Sequence, residues 1–243
     1  MGRSVAFVGT VGGIGTTRTV VDVGGLLARS GRDVLLLDLD FATQGLGRHV
    51  EGPPGVDATA LLADPEASLE AAIRDWPVDG EGSLGVIPSL APFVTIADAK
   101  TPDAGARVDT RLDDATERAD WVLLDVPPVV SNQAIGAVTA AGDVLAVIPP
   151  TDRGVDALQR ERGRLADVES SVDGVLAVGD GDPPPDADAT IPGLPADAPA
   201  HRPATLAGDG TYVQAVAEAV AALLDVDVET PAENDGLLDR LRS

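Results

Sequence analysis

The stretch "GTVGGIGTTRTV", residues 9–20, decides how the chain reads. It closes the apolar run "SVAFVG", residues 4–9, and opens a segment in which Val20, Val23 and Leu27 recur at helical spacing. Glycine reaches φ > 0 at no steric cost and lets a ligand approach the backbone. Gly12, Gly13 and Gly15 between a strand and a helix therefore suggest a phosphate cradle. Three readings fit: a dinucleotide turn with Asp38 and Asp40 a strand further on, a P-loop that has lost its lysine, and a tight turn with no ligand. The spacing predicts a helix that starts at Thr16 or Thr17 and ends at Gly31 as its C′ glycine, with its N-terminus aimed at the loop.

Outward from the loop, apolar β-branched runs recur with helical segments between them. They are "DVLLLDLD" (33–40), "SLGVIP" (83–88), "DWVLLDVPP" (120–128), "DVLAVIPP" (143–150) and "DGVLAVGD" (173–180). Continuous rather than alternating apolar strands indicate a parallel sheet covered on both faces. The expectation is an α/β protein, a doubly wound, mostly parallel sheet with helices on both faces, forming a single domain over residues 1–228. Residues 179–210 are rich in Pro, Asp and Ala and read as a long, lid-like loop with one short extended piece at "ATIPGL". A helix from Thr211 to Leu224 closes the domain, and residues 229–243 form an acidic tail with a short amphipathic end.

Composition narrows the function. The net charge of −23 comes from 40 acidic side chains against 17 basic ones, of which Lys100 is the only lysine. That bias resembles proteins of extreme halophiles, in which molar salt screens self-repulsion. A basic patch is absent, so direct DNA binding is not expected. No residue is Cys, which excludes disulfides, thiolate zinc and iron–sulfur clusters, and His49 and His201 alone make a poor zinc pair. The apolar runs are strand length and the start enters the fold too early for a signal peptide, so the expected location is cytoplasmic.

The dinucleotide reading resembles short-chain dehydrogenases, which need a Tyr with a Lys four residues later. Tyr212 is the only Tyr and Lys100 the only Lys, so that pair does not exist here. A P-loop needs instead a hydroxyl after the loop and carboxylates at the ends of two strands, converging on Mg²⁺. Thr17, Asp38 and Asp125 supply all three. Each Asp also has a plainer reading as a cap of the loop that follows its strand.

With those residues in place the chain resembles the MinD/ParA group of deviant Walker A ATPases. "VGGIGTTR", residues 11–18, lies over the group's K-G-G-x-G-K-[ST]-T loop. "DVLLLDLDFATQGLGRHV" (33–50) is similar to its switch I strand and loop, and "ADWVLLDVPPVVSNQA" (119–134) to its Walker B strand and switch II. "AGDVLAVIPPTDRGVDALQR" (141–160) resembles the next strand and helix, and "TIPGLPAD" (190–197) the loop beside the base. The resemblance implies ATP and Mg²⁺ as cofactors, Gly12, Gly13, Gly15, Thr16 and Thr17 against the nucleotide, and Thr17, Asp38 and Asp125 around the metal. Asp38 and Asp40 are the candidate catalytic acids. It also implies a protein partner and a homodimer around the nucleotide.

The chain departs from the pattern at the residues that carry the chemistry. Val11 replaces the signature lysine, Thr16 the P-loop lysine, and Val178 falls near the adenine-reading Asn. A point-charge lysine has no equivalent substitute. Two residues along a helix is a rotation of about 200°, so Arg18 points away from where residue 16 points and reads as a paired surface cation. The expectation is weak or no nucleotide binding, little ATP hydrolysis, and a role as a protein-docking or spatial-regulatory module. The alternative is an active ATP-dependent switch in which Arg18 or a partner supplies the charge. Asn132 and Gln133 contact a partner or a phosphate, or Asn132 caps its helix. "GLLDRLRS" resembles the short membrane-binding end of MinD proteins, but Leu237, Leu238 and Leu241 form a small face and the preceding acids oppose anionic lipid.

Overall fold

The first strand, β1 (Arg3–Gly9), is buried along six of its seven residues, as the unbroken apolar run demands. In the computed structural model, which describes residues 1–51, 55–208 and 210–228, it lies at the centre of an eight-stranded sheet. Its neighbours are β5 (Trp121–Val126) and β6 (Asp143–Ile148), both parallel to it. Beyond β5 come β2 (Asp33–Asp38), β4 (Ser83–Ile87) and, antiparallel at the edge, β3 (Arg74–Trp76). Beyond β6 lie β7 (Gly174–Val178) and β8 (Ala189–Ile191), again parallel. Seven strands thus point their C-terminal ends the same way, and those ends carry the glycine loop, Asp38 and Asp125.

Alternate residues of each central strand feed two cores. Val5, Phe7, Trp121, Leu123, Leu145 and Val147 face α1 (Thr16–Arg29) and α8 (Thr211–Leu224). Ala6, Val8, Val122, Leu124 and Val144 face the other layer, where α2 (Ala58–Ala63), α5 (Pro102–Thr116) and α6 (Asn132–Ala140) pack. α7 (Asp152–Asp167) covers β6 and β7 on that same side through Leu158. The shorter α3 (Leu69–Ala72) and α4 (Phe93–Ala99) fill the connections. At roughly 1.5–3 kcal/mol for each fully buried large apolar side chain, these two layers are the main stabilising term.

Helix α1 buries Val20, Val23 and Leu27 at the expected spacing. It stops where expected: Gly31 has φ 82°, its N–H donates to Ala28 O at 3.0 Å, and Arg32 N–H reaches back to Leu27 O at 3.2 Å. That pair of bonds is a Schellman closure. Mid-helix glycines cost about 1 kcal/mol each, yet Gly25 is required: a Cβ there would lie 2.6 Å from Pro203 Cβ. The helix is bare at that point so that the chain at 203–205 can lie against it.

The long segment after β7 differs from a free lid. Its extended piece is the strand β8, paired to β7, and its far end is tied to α1. Asp22, fully buried in α1, accepts from Ala204 N–H at 2.6 Å and from the Tyr212 hydroxyl at 2.7 Å, and the Asp22 carbonyl accepts from the Thr205 hydroxyl at 2.7 Å. Among the described residues no helix is long and apolar enough to cross a membrane. The amphipathic tail, with Leu237, Leu238 and Leu241, lies outside the described residues.

Candidate functional site

The glycine loop turns on Gly13 (φ 80°) and Gly15 (φ 92°), left-handed conformations that a side chain would strain. Gly15 is the N-cap of α1, and no side chain caps the helix there. The first-turn N–H groups of a 14-residue helix therefore open onto a cleft of about 380 Å³, an arrangement suited to an anion. Gly12, Gly13, Gly15, Thr16 and Thr17 all line that cleft.

On its floor the Thr17 hydroxyl donates to Asp125 Oδ2 at 2.5 Å. The register of the sheet sets Asp38 directly beside Asp125, so Thr17, Asp38 and Asp125 do meet at the strand ends. They are not equivalent. Asp125 lines the cleft, whereas Asp38 is fully buried beneath it, with its oxygens accepting from Asp40 N–H at 3.0 Å and Leu46 N–H at 3.2 Å. The structure therefore places Asp38 as the organiser of the loop after β2, not as a group facing the cleft. Burial lifts the Asp38 carboxyl well above its ordinary range, and the neighbouring Asp125 adds to this. Burial likewise pushes Asp125 up to about 7, against the lowering effect of the Thr17 bond. Asp40 does face the cleft, where it holds Thr43 by hydroxyl (2.7 Å) and backbone N–H (3.3 Å).

Among the described residues no cluster of three or more His, Cys, Asp or Glu side chains could hold a metal by itself. The Thr17 and Asp125 pair nevertheless fits Mg²⁺. The ion takes few protein ligands, completes its shell with phosphate oxygens and water, and would relieve a carboxylate that burial keeps from ionising.

The departures from the sequence pattern are visible in place. Val11 and Thr16 border the cleft, and the Thr16 hydroxyl lies so near Gly9 that a Cβ there would meet it at 2.5 Å. Val178 stands beside Gly15, its Cγ1 3.9 Å from where a Cβ on Gly15 would lie. Arg18 is held by Asp22, whose Oδ2 lies 2.7 Å from its Nε, and by Pro199 O, 2.8 Å from its Nη1. Its pairing is as expected, but it is only 14% exposed, so it is not a surface cation. Asn132 and Gln133 do not reach the cleft. Ser131 occupies the N-cap of α6, Asn132 donates to Lys100 O at 2.8 Å, and Gln133, buried, points its amide at Leu39 O. Sequence reasoning missed Arg48 and His49, which line the cleft from the turn after β2, and Glu161, which accepts from Val129 N–H at 2.7 Å and so fixes the loop after Asp125. The "GRH" triplet just beyond the apolar strand was the available signal for the first two.

A glycine loop opening a helix at the C-terminal ends of parallel strands, with a hydroxyl and a carboxylate bonded below it, defines a P-loop nucleotide-binding fold. A family model described as an AAA domain (AAA_31) matches residues 2–172, and the chain belongs to that family, within the MinD/ParA P-loop ATPases. The chromosome-partitioning ATPase Soj of Thermus thermophilus is 36% identical over 171 residues, covering 69% of this chain and 61% of the relative. The sporulation initiation inhibitor protein Soj of Bacillus subtilis is 28% identical over 162 residues, covering 61% of this chain and 58% of the relative. The chain thus matches about three fifths of the length of these relatives. The septum site-determining protein MinD of Pyrococcus horikoshii, solved with Mg-ADP, superposes with a TM-score of 0.66 at 21% identity, over 79% of this chain and 82% of that one.

Proposed function

We propose that the chain is a nucleotide-responsive docking protein of the partitioning or positioning kind. It binds a Mg²⁺-bound nucleotide through the phosphates, more weakly than a lysine-bearing P-loop does, hydrolyses it slowly, and passes its state to a protein partner. The observation that carries the reading is the intact cleft floor, Thr17 bonded to Asp125 under an uncapped helix N-terminus, beside Thr16 and Val11 where lysines would stand. The backbone cradle holds an anion without them. Hydrolysis is another matter, since a cation on the transferring phosphoryl group supplies about 10³–10⁵ in rate.

Arg18 is a poor substitute at the reacting phosphate, because Asp22 and Pro199 O hold two of its three nitrogens. Base selectivity is low in this reading, since Val178 cannot hydrogen-bond a purine. The relatives named for chromosome partitioning support the partitioning reading, a protein partner and a homodimer are part of the proposal, and the net charge of −23 supports a salt-rich cytoplasm and disfavours direct contact with DNA. Calorimetric titration of Mg·ATP in molar KCl, with phosphate release followed alongside, tests the proposal. Weak saturable binding with slow turnover is the expected result. Absence of binding makes the loop a turn without a ligand, and turnover at the pace of a lysine-bearing relative overturns the slow-hydrolysis half.

A further inference from the structure

Two arginines and one of the chain's two histidines line one wall of the cleft, and the second histidine stands behind it. Arg48 and His49 line it from the turn after β2, and Arg18 lines it from α1. His201 approaches from the segment after β8, its Nδ1 3.1 Å from the carbonyl oxygen of Arg48. Arg18, His201 and Arg48 each oppose a positive charge on His49, so an anion placed among the four groups relieves a local repulsion.

Two nitrogens of the wall are buried without a partner, Arg18 Nη2 and His49 Nδ1. Buried polar atoms left unsatisfied cost about 1–3 kcal/mol each, so native folds rarely keep them idle. The surroundings of His49 are otherwise complete. Its ring packs on Trp76 of β3, centroid to centroid 5.8 Å, and burial, Arg18, His201 and Arg48 all disfavour its protonated form while Asp22 alone favours it.

We propose that this wall, and not the residue at 16, supplies the charge that holds a polyphosphate. Arg48 and His49 contact phosphate oxygens, Arg18 donates its free Nη2, and the His49 imidazole takes a proton from the buffer as the anion arrives. The inference rests on the nucleotide reading of the cleft and deepens it by naming the groups that replace the lysines. The ligand chemistry is a chain of phosphates, carried by a nucleotide or free.

The test is calorimetry in molar KCl with Mg·ATP and with Mg·tripolyphosphate, each in two buffers of different ionisation enthalpy, on the parent, Arg48→Gln and His49→Gln. The parent should bind both ligands; because Asp125, at about 7, yields a proton to Mg²⁺ in parent and variants alike, the His49 proton is read as the difference in proton count between parent and His49→Gln at matched pH from about 6 to about 8. Arg48→Gln should bind roughly tenfold or more weakly. Arg48 is exposed, so that variant is expected to fold. His49→Gln should take up about one proton fewer than the parent and lose the part of the pH dependence that the parent and Arg48→Gln share, a signature that loss of packing alone does not produce. If the parent binds and both variants bind as tightly with the same proton uptake, the wall is overturned while the nucleotide reading stands. Binding of Mg·ATP without Mg·tripolyphosphate overturns the claim that charge on this wall holds the ligand. Failure of the parent to bind either one overturns both readings.

Discussion

The hydroxyl of Thr17 bonds Asp125 across 108 residues of sequence and fixes the start of α1 over the end of β5. The carboxylate it touches titrates at about 7 in the fold against 3.8 ordinarily, with burial as the main cause. Such a group binds more protons folded than unfolded. Its contribution to stability is therefore complete below pH 3.8 and is lost as pH rises through about 7. Asp38 shifts in the same direction and reinforces the trend. The unliganded protein should melt at a lower temperature at pH 8 than at pH 5, and Asp125→Asn should remove much of that difference. Parallel melting profiles for parent and variant across this range would contradict the assignment.

Gly45 is the point where the loop after β2 crosses Thr17. A Cβ there would lie 2.5 Å from the Thr17 hydroxyl oxygen and 2.8 Å from its methyl carbon. The backbone at Gly45 is ordinary (φ −65°), so Gly45→Ala acts by collision alone. It should cost about 1–3 kcal/mol and displace Thr17 from Asp125. Chemical denaturation reads the first effect, and weaker Mg·ATP binding the second. An unchanged unfolding midpoint would show that the loop yields freely.

Thr16→Lys should tighten Mg·ATP binding about ten- to a hundredfold, by adding a charge-assisted contact over the intact cradle. Turnover should stay slow, because Val11 still leaves the transition state without a second cation. Val11→Lys added to Thr16→Lys is the combination in which hydrolysis is expected. A single variant that binds no tighter than the parent removes the loop as a phosphate site.

Asp22 is a buried junction between α1, the segment at 199–205 and α8. Asp22→Ala strands the Arg18 guanidinium and should cost about 3–5 kcal/mol. Tyr212→Phe removes one bond and should cost about 1 kcal/mol. Hydrogen exchange of the amides at 204–206 should accelerate in both, far more in the first. Equal protection in parent and Asp22→Ala would show that apolar packing holds the segment without the carboxylate.

The acidic composition gives a fold that depends on salt. In molar KCl the screening length falls to about 3 Å and the repulsion of a −23 chain is muted. Far-UV circular dichroism should show native signal there and its loss in dilute buffer free of divalent ions. A melting temperature that does not move between the two would count against the halophilic reading.

Six of the eight strands, the span of α1 and its glycine stop, and the span of α8 could be read directly, because apolar runs and helical spacing report burial on two faces. Strand β3 could not: Arg74, Asp75 and Trp76 form a short polar edge whose pairing depends on β4. Asp38 and Asp125 look alike in sequence, each ending an apolar strand before a loop. Only the return of the chain at Leu46, which turns an N–H onto Asp38, makes one a buried brace and leaves the other facing the cleft. The anchoring of residues 199–205 was hidden for a similar reason. Its trace is the Gly24–Gly25 pair in mid-helix, whose meaning appears once Pro203 is seen against Gly25.

The tie between Arg3 and Leu224, 2.6 Å from guanidinium to carbonyl, joins the first strand to the last described helix. Together with the Asp22 junction it means that the outer side of α1, made among the first thirty residues, stays bare until the chain has been synthesised to Leu224. The family match ends at residue 172, before the turn at 204–206 and α8, yet those late pieces pack on the helix that carries the glycine loop. On the ribosome the cover of the helix that carries the cleft is therefore completed last. It waits for nearly the whole polypeptide, and during that interval Val23, which ends beside Ala219 and Val220 of α8, is open to any chaperone that recognises apolar helices.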